Sequence, residues 1–223
     1  MLYFNVDYEI NVMTNIKNNA ATQETRRKLI EAAGEVFAAQ GLHAATIKEI
    51  TTKAGVNTAA INYHFRDKFE LYAAVVRYAL DDMCNDEFAF KELTGTPEEQ
   101  LQELIHDMFE DTSDPARPSW CTTILAHEFA QPTLALDAVV EELIRPHVDR
   151  MDNLIRQILG PQAKDKQVLQ AALSVVSQCI HYFYNRELIQ RLHPQIFEEC
   201  TWQDMAEHIA RFSIAGLRDM SSE

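Results

Sequence analysis

Apolar residues recur along this chain at three- and four-residue intervals, the period of a helix buried on one side. Leu29, Ile30, Ala33, Val36 and Phe37 form the first such face and predict a helix over 22–40, capped by Thr22 and stopped by Gly41. In "TIKEITTKAGVNTAAINYHF", Thr46 and Glu49 have capping-box spacing: the hydroxyl takes the third amide of the helix and the carboxylate reaches back. Ile47 and Ile50 face inward, and Gly55 ends this second helix because it accepts positive φ. Asn57 caps a short third helix from Thr58 to about His64, with Val56 stapled onto Ile61 to set its entry angle. A fourth helix runs from Lys68 to about Phe88 on a stripe of Phe69, Tyr72, Val75, Val76, Ala79, Leu80 and Met83.

"LTGTPEE" marks a boundary, with Thr96 as cap and Pro97 at the first helical position. Helices are predicted at 97–112, 119–131, 133–145, 146–159, 165–192 and 201–219, with "SDPARPS" and "ILGPQAKD" as polar breaks. "VLQAALSVVSQCIHYFYNRELIQRL" is apolar on most faces, and with "EHIARFSIAGL" it reads as a subunit interface or as a central core helix. The pattern as a whole predicts an all-α chain. It divides into a flexible N-terminal arm over 1–20, a helix-turn-helix domain over 21–67, and a larger helical domain over 68–223 joined to it by the long fourth helix. Met13 is an alternative start.

Composition agrees with helices: only 6 Gly and 7 Pro, and 47% hydrophobic residues, enough for a sizeable core. No apolar run approaches the length of a membrane span, and the N-terminus lacks a basic region followed by an apolar one, so a cytoplasmic protein is expected. Cys84, Cys121, Cys179 and Cys200 form no C-x-x-C pair and read as buried free thiols. The 8 histidines show no metal-ligand spacing, so no metal or other cofactor is expected. Phosphate-binding glycine motifs and the nucleophile elbow are absent, which argues against an enzyme. Cys121, His127 and Glu128 are the least unsuitable hydrolase set, with no oxyanion signal beside them.

Charge sharpens the division. The formal net charge is -14, yet residues 17–72 carry eight Lys and Arg against six Asp and Glu, while residues 73–223 carry 12 against 26. The acidity sits in the C-terminal two-thirds and is screened over about 10 Å at ordinary salt, so the N-terminal segment can still meet phosphate. The same acidity suppresses non-specific binding to DNA, which is mostly electrostatic.

"ATIKEITTKAGVNTAAINYHFRDKFELY" resembles the helix-turn-helix of the TetR/AcrR family of transcriptional repressors, above all in its A-G-V turn, its "YHF" ending and the Lys that follows. "LAHEFAQPTLALDAVVEELIRPHVDRM", "SVVSQCIHYF" and "EHIARFSIAGLR" resemble the C-terminal domain of the CecR subgroup. The resemblance runs from about Thr22 to Leu217. It implies a homodimer with a three-helix DNA-binding head and a helical body that houses an effector pocket and dimerises through its last two long helices. It also implies that effector binding changes the spacing of the heads and releases the operator.

Spacing places Val56, Ile61 and Phe65 inward and leaves Thr58 and Asn62 in one outward row, Ala59 and Tyr63 in the next. Asn62 is the best reader of a base, since its amide can pair with adenine N6 and N7. Ala59 and Ala60 let the backbone come close or touch a thymine methyl. Thr46 and Lys48 stand at a helix start, where phosphate binds. Asn57 serves as a cap or as a base reader. By resemblance, Tyr63 and His64 grip phosphate and sugar, and Lys68 binds phosphate. Tyr72, Val75 and Val76 are expected to join head to body.

For the effector, polar or aromatic residues inside apolar stretches are the candidates: His106, Trp120, His127, Glu128, Tyr182 and Tyr184. The function expected is a ligand-responsive repressor that binds a pseudo-palindromic operator on double-stranded DNA as a homodimer and is released by a small hydrophobic effector. Two alternatives stay open: an activator of the same architecture, and a helical interaction module whose helix-turn-helix is vestigial.

Overall fold

The computed structural model describes residues 6–81, 92–113 and 117–221. Every regular element among them is helical. The chain divides into two compact units, the first ending at Tyr78 and the second starting at Ala79.

The first unit holds α1 (Val6–Ala44), α2 (Ile47–Ala54), α3 (Ala59–Phe65) and most of α4 (Lys68–Asp81). The first helix was predicted to begin at Thr22 after a loose arm; it is already helical at Val6. No Gly or Pro precedes Gly34, so nothing in the local chemistry stops the helix upstream of Thr22. Gly41, at φ 78°, breaks it near the expected end. The capping box forms as predicted: Thr46 Oγ1 accepts from Glu49 N at 3.2 Å and Glu49 Oε2 accepts from Thr46 N at 3.0 Å. Gly55 closes α2 in the left-handed region, and its N–H reaches the carbonyls of Thr51 and Thr52. Leu29, Ala33 and Phe37 of α1, Ile50 of α2 and Ile61 of α3 are fully buried together with Val75 and Val76 of α4. Tyr72 lies edge-on against Phe37 at 5.0 Å, inside this unit.

One residue of the predicted α4 stripe is corrected. Phe69 is 37% exposed, and Leu71 is fully buried instead. Phe69 sits in the first turn at the rim of the stripe, where no preceding helical turn covers it. Met83, Cys84 and the end of the predicted fourth helix lie outside the described residues, as does part of "SDPARPS".

The second unit continues with α5 (Pro97–Ser113), α6 (Trp120–Ala130), α7 (Leu134–Val139), a π turn over Val140–Ile144, α8 (Arg145–Leu159), α9 (Asp165–Tyr184), α10 (Arg186–Leu192), α11 (Gln195–Glu199) and α12 (Trp202–Ser221). Thr96 caps α5 with Glu99, as its sequence suggests, and Thr201 caps α12 with Asp204. The π turn follows from Pro146: the ring offers no N–H and crowds the carbonyl four residues back, so the ladder slips by one. The helix predicted over 165–192 is interrupted at Asn185, whose φ of -111° and ψ of 19° leave the α region. Its side-chain amide lies 3.3 Å from His181 Nδ1, a local bond that competes with helix continuation.

Helices α5, α8, α9 and α12 share one core, with Leu101, Ile105, Phe109, Ile155, Cys179 and Ala206 at its centre. Polar pairs tie the same helices together: Gln102 Nε2 donates to Glu207 at 2.6 Å, and Gln178 Nε2 to Ser213 Oγ at 3.2 Å. Cys121 and Cys179 are buried as expected, while Cys200 is half-buried. Burial pushes the Cys179 thiol up to about 12, so it is an inert core residue rather than a thiolate. Among the described residues, no helix is long and apolar enough to cross a membrane.

Candidate nucleic-acid interface

Helix α3 has one buried and one open face. Ile61 is fully buried and Phe65 6% exposed, whereas Thr58, Ala59, Asn62 and Tyr63 are exposed, Tyr63 at 76%. A Tyr ring and an Asn amide so displayed, on a helix anchored from behind by Ile61 and Phe65, form a rigid presentation of hydrogen-bonding groups. Asn57 acts as a cap: its Oδ1 accepts from Ala59 N at 2.9 Å and from Thr58 Oγ1 at 3.4 Å. The side chain is thereby committed to holding the helix start rather than to reaching a base.

Tyr63 and His64 are in edge-to-face contact at 4.8 Å, so the Tyr ring is braced from its own helix. Burial, followed by the nearby Arg26 guanidinium, holds His64 below the ordinary imidazole value. Both effects favour the neutral imidazole in the DNA-free protein. The Thr46 hydroxyl is engaged twice with Glu49, accepting from its N–H and donating to its carboxylate at 2.7 Å. Lys48 is exposed in the first turn of the same helix.

Lys68 has a role that its position in the sequence does not disclose. Its ammonium donates to the carbonyls of His43 at 3.2 Å and Ala45 at 3.0 Å. It thus ties the start of α4 to the backbone entering α2, beside Thr46, using two of its three hydrogens. Arg26 was not among the residues singled out by sequence. Its guanidinium lies 5.1 Å over the Phe65 ring, placing a cation behind the reading helix. Its neighbours Arg27 and Lys28 are committed to carboxylates of the same helix, Arg27 to Glu24 and Glu31 and Lys28 to Glu24. Arg66, also unpredicted, links α3 to α4 at φ 61°, with Asp67 N bonded to Phe65 O at 2.6 Å across it. This three-residue turn is a strained conformation for a non-glycine residue and exposes another positive charge at the end of α3.

The six effector candidates are not gathered into one described cavity. Tyr182 lines a cavity of about 550 Å³, and His106 lines a small cleft with Phe109 and Trp202. His106 Nε2 lies 3.6 Å from Glu207. Glu128 is fully buried and accepts from Thr133 N and Thr133 Oγ1, both at 3.1 Å, which fixes the turn into α7. His127 beside it is exposed, Trp120 is buried, and Tyr184 packs edge-on against Phe129 at 5.5 Å. Among the described residues no cluster of His, Cys, Asp and Glu could hold a metal ion.

The chain matches two families. Residues 29–75 match the bacterial regulatory proteins of the tetR family, and residues 97–217 match the C-terminal domain of the HTH-type transcriptional dual regulator CecR. The HTH-type transcriptional regulator SrpR of Pseudomonas putida is 47% identical over 60 residues, which are 27% of this chain and 28% of SrpR. AcrR of Shigella flexneri is 25% identical over 146 residues, 64% of this chain and 68% of AcrR. BetI of Escherichia coli O17:K52:H18 (strain UMN026 / ExPEC) is 35% identical over 115 residues, covering 49% of this chain and 57% of BetI. Among solved structures, FadR from Bacillus subtilis in complex with stearoyl-CoA superposes with a TM-score of 0.62 at 16% identity, over 85% of this chain and 98% of that one. AibR in complex with isovaleryl coenzyme A and operator DNA gives 0.61 at 16% identity, over 84% and 97%. At such identity these structures speak for the fold. With the helix-turn-helix in place, and with the CecR-type domain matching more than half of the chain, this protein belongs to the TetR family of DNA-binding transcriptional regulators.

Proposed function

We propose that this regulator is a repressor that grips a pseudo-palindromic operator as a homodimer and lets go when a small hydrophobic effector enters its body. The observation that carries the DNA-binding half is the open face of α3, with Thr58, Ala59, Asn62 and Tyr63 exposed over buried Ile61 and Phe65. Dimerisation is supported by apolar residues left uncovered on α9 and α12: Leu169 is 50% exposed, Leu173 65% and Phe212 65%. An effector with apolar character is supported by analogy with FadR and AibR, whose structures hold acyl-coenzyme A compounds. Two heads on one dimer favour half-sites about one helical turn apart.

The direct test is a gel shift with DNA from upstream of the protein's own gene, repeated with candidate effectors. Failure to retard any such fragment would favour the interaction-module reading. Asn62→Ala is expected to weaken the cognate site by about 1–3 kcal/mol and to relax preference at one base position. Equal losses on cognate and scrambled duplexes would remove Asn62 from base reading. Lys68→Ala is expected to weaken both duplexes alike and to lower the salt slope by about one. Because Lys68 also ties down two carbonyls, a lower melting temperature should accompany that loss. An unchanged salt slope in a folded Lys68→Ala variant would leave the residue with the structural tie alone.

A further inference from the structure

Between α9, the α10–α11 segment and α12 lies a cavity of about 550 Å³. That volume is in the range that takes a small organic ligand. Its floor is apolar, with Ile189 and Ile209 buried and Ile196 half-buried. Its rim carries His181, His193 and His208, three of the 8 histidines in the chain. No Asp or Glu lines it, although the formal net charge of the chain is -14.

Two carboxylates close by in sequence are engaged elsewhere. Glu207 accepts from Gln102 at 2.6 Å and faces His106 at 3.6 Å, and Glu187 pairs with Arg191 at 3.2 Å. Asn185 Nδ2 lies 3.3 Å from His181 Nδ1. With that amide donating, the ring hydrogen of His181 resides on Nε2, which makes it a donor. His208 is held flat against Phe212, with 6.3 Å between ring centroids. No three His, Cys, Asp or Glu side chains among the described residues stand close enough to hold a metal ion, and each imidazole carries at least one N–H donor whatever its tautomer.

Apolar floor, donor rim and the absence of lining carboxylates select one ligand chemistry. We propose that this cavity binds a small organic carboxylate, its apolar body on Ile189, Ile196 and Ile209 and its carboxylate among His181, His193 and His208. The assignment goes beyond the regulator reading and does not depend on it: operator binding and release by another compound elsewhere would survive its failure.

The test is calorimetric titration of the full chain with 1-naphthoate and octanoate, set against 1-naphthamide and octanamide. The amides keep the apolar body and lose the charge that strengthens each imidazole bond. At least one carboxylate is expected to bind saturably, with its amide weaker by about tenfold or more. His181→Gln, His193→Gln and His208→Gln combined should abolish that preference, with the melting temperature followed alongside. Ile196→Trp, which fills the floor, should block binding and serves if the triple variant melts early. No saturable binding of either carboxylate, equal affinity for acid and amide, or carboxylate binding that survives both the triple substitution and Ile196→Trp would overturn the assignment.

Discussion

Leu173→Glu combined with Phe212→Glu is expected to yield a monomer and to lower affinity for the full operator by on the order of 100-fold or more. Both side chains are 65% exposed, one on α9 and one on α12, and Leu169 adds to the same uncovered surface of α9. Exposed leucine and phenylalanine side chains of this size on adjoining helices are what a helix-on-helix interface would bury. Two carboxylates in their place would have to be desolvated unpaired if the interface formed, which outweighs the apolar contacts that remain. Operator affinity falls because each head then binds alone. In a dimer the second half-site is met at high effective concentration, and a monomer forfeits that gain. Sedimentation or light scattering checks the mass, and fluorescence anisotropy compares a full operator with a half-site. Half-site affinity should be unchanged, since neither residue is in the head. A variant that stays dimeric, or a monomer that still binds the full operator tightly, would refute this placement of the interface.

Phe109→Ala should destabilise the body by about 3–5 kcal/mol, the range for removing a buried aromatic ring. Phe109 is 1% exposed, and its ring meets Phe183 edge-on at 4.7 Å, with Trp202 at 6.0 Å and Tyr182 at 6.1 Å. It therefore locks α5 to both α9 and α12. The three aromatic neighbours sit on two other helices, Tyr182 and Phe183 on α9 and Trp202 on α12, so they cannot collapse into the space without shifting a backbone. Such a loss is a large fraction of the stability of an ordinary domain, about 5–15 kcal/mol in all. Urea unfolding measures it. A change below about 1.5 kcal/mol, as in a volume-conserving exchange, would mean that the site repacks and that the ring is no keystone.

The parts of the head that were legible in its sequence are those decided within a turn or two of chain. The Thr46–Glu49 box, the left-handed Gly55 and the Asn57 cap each need residues no more than four apart, so identity and spacing suffice to place them. The open face of α3 was equally readable, because Ile61 and Phe65 on one side leave Thr58, Ala59, Asn62 and Tyr63 on the other. Lys68 was readable as a cation but not as the donor to His43 and Ala45, which lie far back in the chain. Arg26 was missed for the same reason: its partner is the Phe65 ring on another helix.

In the body, residue type was a poor guide. His127 and Glu128 looked like one polar pair, but successive helical residues point about 100° apart. One is exposed while the other is fully buried against Thr133. The break at Asn185 also escaped periodicity, because it depends on a local side-chain bond rather than on the apolar stripe.

The sequence by itself determined the helical class, the caps and turns of the head and the split between a mildly basic head and an acidic body. Backbone hydrogen bonds and one-sided burial are short-range effects, and composition is additive. Only the tertiary structure decided which side chains from different helices meet: Lys68 with the backbone before α2, Phe109 with three rings, and three histidines around one floor of isoleucines. Those meetings follow from how helices cross, and crossing is set by the joint packing of residues remote in sequence.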